Sequence, residues 1–110
     1  MDKLEDIFDK QKELQLKLGN SLEKIEMNID FIKMNFEAII VEMSEFLMSI
    51  PWKPWKIQQK WDIENAKLEL IDVLHFWMNL CIALKMTPEE IHERYLNKQQ
   101  INIKRKEEGY

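Results

Sequence analysis

The sequence predicts an all-α protein, an antiparallel bundle of about four helices that forms a single domain over residues 1–110. Two observations lead to this prediction. The chain has only 2 Gly and 3 Pro in 110 residues, which leaves few turns and favours a few long helices over many short strands. Apolar residues also recur at helical spacing, and 45% of all residues are hydrophobic, which is enough to fill a core.

The first predicted helix covers about residues 3–18 and stops at Gly19 and Asn20, because glycine and asparagine commonly end helices. Its apolar side chains recur at helical spacing; they are Leu4, Ile7, Phe8, Leu14 and Leu18. The next segment, residues 21–28, allows two interpretations, a short helical turn or a loop. The spacing of Asn20 and Glu23 is that of a capping box, and both interpretations stay open.

The second and third predicted helices cover about residues 30–49 and 63–85. Pro51 and Pro54 lie between them and predict a connection, and Asp62 is a suitable N-cap for the third helix. Since the connection is short, we expect these two helices to form an antiparallel hairpin.

The fourth predicted helix begins with a strong signal, Thr87-Pro88-Glu89-Glu90. Threonine suits the N-cap, proline the first helical position and glutamate the third. The helix is predicted to run to about residue 107, before Gly109.

Charge and composition argue against several classes of protein. The net charge of −4 and the isoelectric point of about 5.2 argue against a general nucleic-acid surface, although residues 98–106 are locally basic. No run of 18 uncharged apolar residues exists, and the first six residues have no signal-peptide core. Cys81 is the single cysteine and lies in an apolar stretch, which suits a reducing compartment. We expect a cytoplasmic protein without a membrane or nucleic-acid partner.

Four carboxylates form the most informative pattern. Glu42 with Glu45, and Glu69 with Asp72, are spaced i, i+3 in apolar helical segments, so each pair shares one helix face. An antiparallel hairpin brings the two pairs to a similar height. Two carboxylates about 4 Å apart repel by about 4 kcal/mol at an effective dielectric constant of about 20. The pattern therefore predicts a divalent metal site, with Mg²⁺ favoured by the oxygen ligands; the alternative is four solvent-facing acids on two surface helices.

Other polar and aromatic residues extend this pattern. Trp55 and Lys56 stand in the connection, where an indole ring can stack on a base or plug the end of the hairpin, and a lysine can bind phosphate or solvent. His75 or Phe76, followed by Asn79, continues the acidic face of the third helix. These three can contact a ligand or belong to the core.

The last helix carries a polar stripe at i, i+3, i+7 and i+10, made by Tyr95, Lys98, Asn102 and Arg105. Its apolar face is weak. The stripe can hold an anionic substrate at the acidic site, or it can belong to an ordinary solvated helix.

Taken together, these motifs resemble the dimeric, all-α dUTPase family, part of a wider group of all-α nucleotide pyrophosphohydrolases that includes MazG-type enzymes. Glu42-x-x-Glu45 followed by Glu69-x-x-Asp72 is similar to the signature of the group. The segments that resemble the dUTPase branch are Gln11-Lys12-Glu13-Leu14, Lys53-Pro54-Trp55-Lys56, Asp72-Val73-Leu74-His75-Phe76 and Tyr95-x-x-Lys98-x-x-x-Asn102-x-x-Arg105-x-x-x-Gly109-Tyr110. The resemblance spans nearly the whole chain.

The resemblance implies Mg²⁺-dependent hydrolysis of dUTP, and of dUDP, to dUMP by a homodimer or a higher homo-oligomer. Glu42, Glu45, Glu69 and Asp72 would bind Mg²⁺, and Glu42 would also orient or deprotonate the attacking water. The residues implied to shape the uracil and deoxyribose pocket are Gln11, Trp55, His75, Phe76 and Asn79. Those implied to hold phosphates or to close the site are Lys56, Tyr95, Lys98, Asn102, Arg105 and Tyr110.

Two other functions stay open on the sequence. One is a MazG-type pyrophosphohydrolase that acts on other nucleotides, and the other is a non-catalytic helical interaction module whose acids bind metal only for stability. Two departures from the dUTPase pattern are visible. Gln15 stands where the family often has Asn or Asp, and the chain lacks the inserted segment that relatives carry between the third helix and the closing motif.

Overall fold

The computed structural model describes residues 2–109, and within them every regular element is a helix. The all-α prediction is therefore confirmed. The helices are α1 (Lys3–Lys17), α2 (Leu22–Ile25), α3 (Ile29–Met48), α4 (Ile63–Ala83) and α5 (Pro88–Glu107). Four of them match the predicted helices to within two residues at each end, and α2 is the segment that the sequence left open: it is a single helical turn.

Side-chain caps explain where the helices begin. Asp2 accepts a hydrogen bond from the backbone of Glu5 at 2.8 Å, and Thr87 accepts one from Glu90 at 3.1 Å. The capping-box interpretation of Asn20 is wrong. Its side chain donates to Gln15 Oε1 at 2.9 Å, which ties the turn after α1 back onto that helix.

The main packing unit is the antiparallel hairpin of α3 and α4, and α1 lies across the C-terminal half of α4. The buried apolar cluster sits where α1, α2 and α4 meet; it consists of Phe8, Ile25, Met78, Cys81, Ile82 and Ala83. The turn after α2 is tied to the end of α4, because the backbone N–H of Met27 donates to the carbonyl of Ala83 at 2.8 Å. The core thus lies at one end of the hairpin, away from the connection between α3 and α4.

Helix α5 leaves the bundle. It is bent by 103° relative to α4, and only its first turns lie against the core, through Ile91. From His92 to Gly109 every described residue is exposed. No single helix in residues 2–109 is long and apolar enough to cross a membrane; α4 and α5 reach that composition and length only as a bent pair.

Candidate active site

Three of the four predicted metal ligands form a cluster between α3 and α4. One carboxylate oxygen each of Glu42, Glu69 and Asp72 lies within 4.8 Å of the other two. Glu45, one turn further along α3, is exposed and lies outside this cluster. The helix period explains the arrangement, since Glu69 and Asp72 share the face of α4 that is turned to α3.

The cluster is short of positive charge and of hydrogen bonds. Glu42 Oε2 and Glu69 Oε2 are buried and have no hydrogen-bond partner among the described residues. The facing Glu69 carboxyl raises the pKa of Glu42, because a protonated Glu42 can hydrogen-bond to it, and burial raises this pKa further. The neighbouring Glu45 carboxyl acts in the opposite direction and lowers the pKa of Glu42.

These features fit a divalent cation. Buried carboxylate oxygens without partners are costly unless a proton or a cation satisfies them. Mg²⁺ takes oxygen ligands, and it commonly uses one or two carboxylates while keeping several waters. Glu42, Glu69 and Asp72 are therefore a suitable donor set for Mg²⁺.

A chain of buried amides lies about two helical turns from the cluster, on the side of the core. Asn79 Nδ2 donates to Asn35 Oδ1 at 2.8 Å, and Gln11 Nε2 donates to Asn79 Oδ1 at 2.8 Å. Asn35 Nδ2 donates to the backbone carbonyl of Phe31 at 2.8 Å, while Gln11 Oε1 lies 2.6 Å from His75 Nδ1. Gln11, Asn35 and Asn79 are at most 4% exposed. Three of the predicted pocket residues, Gln11, His75 and Asn79, are thus joined in one chain.

A second polar contact lies on the other side of the acids. Asn65 Nδ2 donates to Ser49 Oγ at 2.6 Å, at the end of the hairpin where the connection joins α3 to α4. Asn35 and Ser49 stand seven residues before and after Glu42, and Asn65 and Asn79 stand seven residues before and after Asp72. Of these four polar residues, the sequence predicted only Asn79 as part of the site. The spacing of seven residues from Glu42 or Asp72 is the signal that could have identified Asn35, Ser49 and Asn65 as well.

A cavity of about 290 Å³ opens next to this amide chain, between α1 and α4. Its walls are apolar, and its polar lining is made of Gln11, His75 and Lys10. His75 lies one helical turn after Asp72, so the cavity and the acidic cluster are neighbours along α4. Phe76, the next residue, is half-buried.

The connection between α3 and α4 forms a separate cleft of about 650 Å³. Gln59 holds its shape, since its amide donates to the carbonyls of Lys53 at 2.6 Å and Lys56 at 2.8 Å. Trp52 lines the cleft, and its ring meets that of Trp55 edge to face with ring centroids 5.4 Å apart. Trp55 itself does not line the cleft and is 70% exposed. Lysines line the cleft, namely Lys53, Lys56 and Lys60, but none of the clustered acids does.

The predicted phosphate-binding stripe of the last helix is not brought to the acids within one chain. Tyr95, Lys98, Asn102 and Arg105 lie on the exposed part of α5, and a shallow groove of that helix is lined by Tyr95, Lys98 and Asn102. Tyr110 lies outside the described residues.

Comparisons with known proteins add to this geometry. A family model described as dUTPase matches residues 3–89, which include the acidic cluster, the amide chain and the cleft formed by the connection between α3 and α4. The chain is 31% identical to a dCTP pyrophosphatase of Enterobacteria phage LZ5, covering 100% of this chain and 84% of the relative. It is 29% identical to the dCTP pyrophosphatase of Enterobacteria phage T4, covering 99% of this chain and 83% of the relative.

A third relative is longer. A DNA replication protein of Enterobacteria phage T4 is 29% identical over 94% of this chain, which corresponds to 35% of that protein. The alignment with the phage LZ5 protein spans 144 positions against 110 residues here, so at least 34 positions of that relative have no counterpart in this chain. No solved structure matches the sequence significantly.

Proposed function

The chain belongs to the dUTPase family, and on that premise we propose that it is a Mg²⁺-dependent pyrophosphohydrolase of pyrimidine deoxynucleoside triphosphates. The proposed reaction cleaves the bond between the α- and β-phosphates and releases the nucleoside monophosphate and pyrophosphate. The single observation that carries this proposal is the cluster of Glu42, Glu69 and Asp72, with two buried carboxylate oxygens that have no partner among residues 2–109.

The three clustered acids are proposed to hold the metal, with Glu45 joining them from the next turn of α3. Bound Mg²⁺ would polarise a phosphoryl oxygen and lower the pKa of the attacking water. Glu42 is proposed to orient that water and to accept its proton. The support for this role is the position of Glu42 in the cluster, where one of its carboxylate oxygens lies within 4.8 Å of those of Glu69 and Asp72.

The substrate is proposed to be dUTP, with dUDP as a second substrate that yields dUMP. Gln11, His75, Phe76 and Asn79 are proposed to form the base and sugar side of the pocket, and Trp55 to stack on the base. A second candidate substrate is dCTP, and the observation that favours it is the likeness to two phage proteins named dCTP pyrophosphatase. A wider MazG-type specificity is the remaining alternative.

The active unit is proposed to be a homodimer. Phe36, Ile40, Met43 and Leu47 form a stripe at helical spacing along α3, and they are 37% to 55% exposed. A contiguous apolar stripe of this kind is typical of an interface. We further propose that α5 of one copy supplies Tyr95, Lys98, Asn102, Arg105 and Tyr110 to the acidic site of the other, with Lys56 completing the phosphate contacts.

The experiment that tests the function is a nucleotide panel with the purified protein. Release of monophosphate and pyrophosphate from dUTP, dCTP, dTTP, dATP, dGTP and UTP is followed with and without Mg²⁺, together with release of dUMP from dUDP. Turnover of dUTP alone supports the first candidate, and turnover of dCTP, alone or with dUTP, supports the second. Metal-dependent turnover of purine nucleotides contradicts the pyrimidine pocket, and no turnover of any nucleotide contradicts the proposal as a whole.

A further inference from the structure

The buried amide chain has a direction, and one backbone carbonyl sets it. The carbonyl oxygen of Phe31 can only accept a hydrogen bond, so the group of Asn35 that faces it, at 2.8 Å, must be the amide nitrogen. Asn35 therefore turns its oxygen to Asn79, and Asn79 must meet that oxygen with its own nitrogen.

The same reasoning continues to the surface. With its nitrogen used on Asn35, Asn79 presents its oxygen to Gln11, which donates from Nε2. Gln11 then presents Oε1 to His75 at 2.6 Å. Reversing any one amide would place two oxygens or two nitrogens against each other, and reversing all of them would place the Asn35 oxygen against the Phe31 carbonyl.

The histidine at the end of the chain must therefore donate. An amide oxygen accepts, so His75 Nδ1 has to carry a proton, and in the neutral ring Nε2 is then unprotonated. The imidazole ring lies at the exposed end of the chain, on the wall of the 290 Å³ cavity between α1 and α4. Nε2 has no hydrogen-bond partner among residues 2–109, so it is free to accept one.

We infer that Asn35 is a positioning residue of this site, which acts through Asn79 and Gln11 to hold His75 in the Nδ1–H tautomer with Nε2 presented as a hydrogen-bond acceptor. Asn35 lies on α3, two helical turns before Glu42, and is 2% exposed. It reaches the cavity only through the two amides between it and His75.

The tautomer determines the class of ligand group that the cavity takes. A ring nitrogen that accepts selects a donor, such as the N–H of a pyrimidine base or the 3′-hydroxyl of deoxyribose, and disfavours a carbonyl or phosphate oxygen. This ligand assignment rests on the proposed function, whereas the tautomer is a property of the free protein.

The tautomer is tested by NMR on the ¹⁵N-labelled protein without ligand, at a pH where the ring is neutral. The couplings between the ring nitrogens and carbon-bound protons of His75 are expected to report Nδ1–H as the major form. His92 is an internal control, because it is exposed on α5 and belongs to no such chain. A His75 that is mainly Nε2–H overturns the inference, whatever the nucleotide panel gives.

The role of Asn35 is tested with Asn35→Leu and Asn35→Ser, which cannot accept from Asn79 at the same place. Free histidine prefers the Nε2–H tautomer, so His75 is expected to shift towards that form in either folded variant. Asn35→Asp is the matched control. Its protonated carboxyl can donate to the Phe31 carbonyl and accept from Asn79, so Nδ1–H is expected to persist. An unchanged tautomer in the leucine or serine variant, with native helix content by circular dichroism, removes Asn35 from this role.

The ligand group is tested by kinetics with dUTP, N3-methyl-dUTP and 2′,3′-dideoxy-UTP. A rise in KM of about tenfold or more with the methylated base identifies the base N–H as the donor, and the same rise with the dideoxy sugar identifies the 3′-hydroxyl. Equal KM values for all three contradict the acceptor role of Nε2. If the wild-type protein turns over no nucleotide, the proposed function fails, and the NMR measurement still decides the tautomer.

Discussion

Asn35 and Asn79 are hydrogen-bonded across α3 and α4 at 2.8 Å, and each stands seven residues from a carboxylate of the acidic cluster. Ser49 and Asn65 form a matching contact on the other side of the acids, where Asn65 Nδ2 donates to Ser49 Oγ at 2.6 Å. Each of these two residues also stands seven residues from a clustered carboxylate. The acids therefore lie between two neutral polar contacts in the same helix–helix seam. Among residues 2–109 each neutral pair is satisfied, whereas Glu42 Oε2 and Glu69 Oε2 have no partner. The need for a cation is therefore concentrated at one level of the hairpin.

Replacing Glu69 by Gln is expected to lower turnover by more than about 100-fold, because loss of groups that only support metal ligands already costs 10–100-fold. A neutral amide is also a poor partner for Mg²⁺. Steady-state kinetics measure the effect. Glu64→Gln is the matched control, since Glu64 lies on the same helix, five residues before Glu69, and its side chain is 87% exposed. Full activity in Glu69→Gln would remove the metal-site assignment.

Stability without metal is expected to fall as the pH rises above the ordinary glutamate pKa of 4.5 and through the raised pKa of Glu42. The pKa of Glu42 is raised in the folded protein, so the folded state binds more protons than the unfolded state in this range. Deprotonation of Glu42 at rising pH therefore favours unfolding, and binding of Mg²⁺ to the folded protein is expected to offset this loss of stability. Thermal unfolding in EDTA and in Mg²⁺ checks this expectation: the gain from Mg²⁺ has to be larger at pH 8 than at pH 5, and a gain independent of pH would contradict it.

A mixed dimer of Glu69→Gln and Lys98→Ala copies is expected to regain activity that neither variant has alone at low dUTP. If α5 serves the partner, one of the two sites in such a dimer has intact acids and an intact α5, so about half of the wild-type rate is expected. Co-expression with two different affinity tags yields the mixed dimer for assay. A dimer of Glu69→Gln and Glu42→Gln is the control, because both of its acidic clusters are damaged. No recovery with Lys98→Ala would confine the site to one copy.

Trp55→Ala is expected to weaken substrate binding by about 1–3 kcal/mol if the ring stacks on the base. Trp61→Ala is a suitable control, since Trp61 is exposed to a similar extent, at 64%, and lies outside the Trp52–Trp55 ring pair. Binding of a non-hydrolysable dUTP analogue, followed by calorimetry, separates affinity from turnover. Equal affinities of the two variants would return Trp55 to a structural role.

Cys81 is expected to react slowly with thiol reagents in the native protein. Burial raises the pKa of its thiol to about 11, and the side chain is 4% exposed, so little thiolate is available at pH 8. Denaturant should restore rapid labelling, which absorbance of released thionitrobenzoate measures. The raised pKa also means that stability is lost as the pH rises above about 9 and through 11. Rapid native labelling would contradict the buried position.

The sequence predicted the long helices because apolar spacing and cap residues are local signals, and Thr87 with Pro88 marks the start of α5 to the residue. It also predicted that the two acidic pairs face each other, since helix period and antiparallel pairing decide that. Glu42, Glu69 and Asp72 do so, whereas Glu45 is exposed and lies outside the cluster. It missed Asn35, because a single amide inside an apolar helix has the same local pattern whether it faces the seam or solvent. The direction of α5 was not predictable, since its weak apolar face specifies no packing partner within the chain.

The spacing of the polar pairs also limits how α3 and α4 can slide past each other. A displacement by one heptad would set Glu42 against Asn65 or Asn79 and would leave another polar side chain facing an apolar surface. Only the observed alignment pairs amide with amide, acid with acid, and hydroxyl with amide. The residues that build the site therefore also determine the register of the hairpin, so a sequence change that neutralises the acids relaxes a constraint on folding as well as removing a ligand.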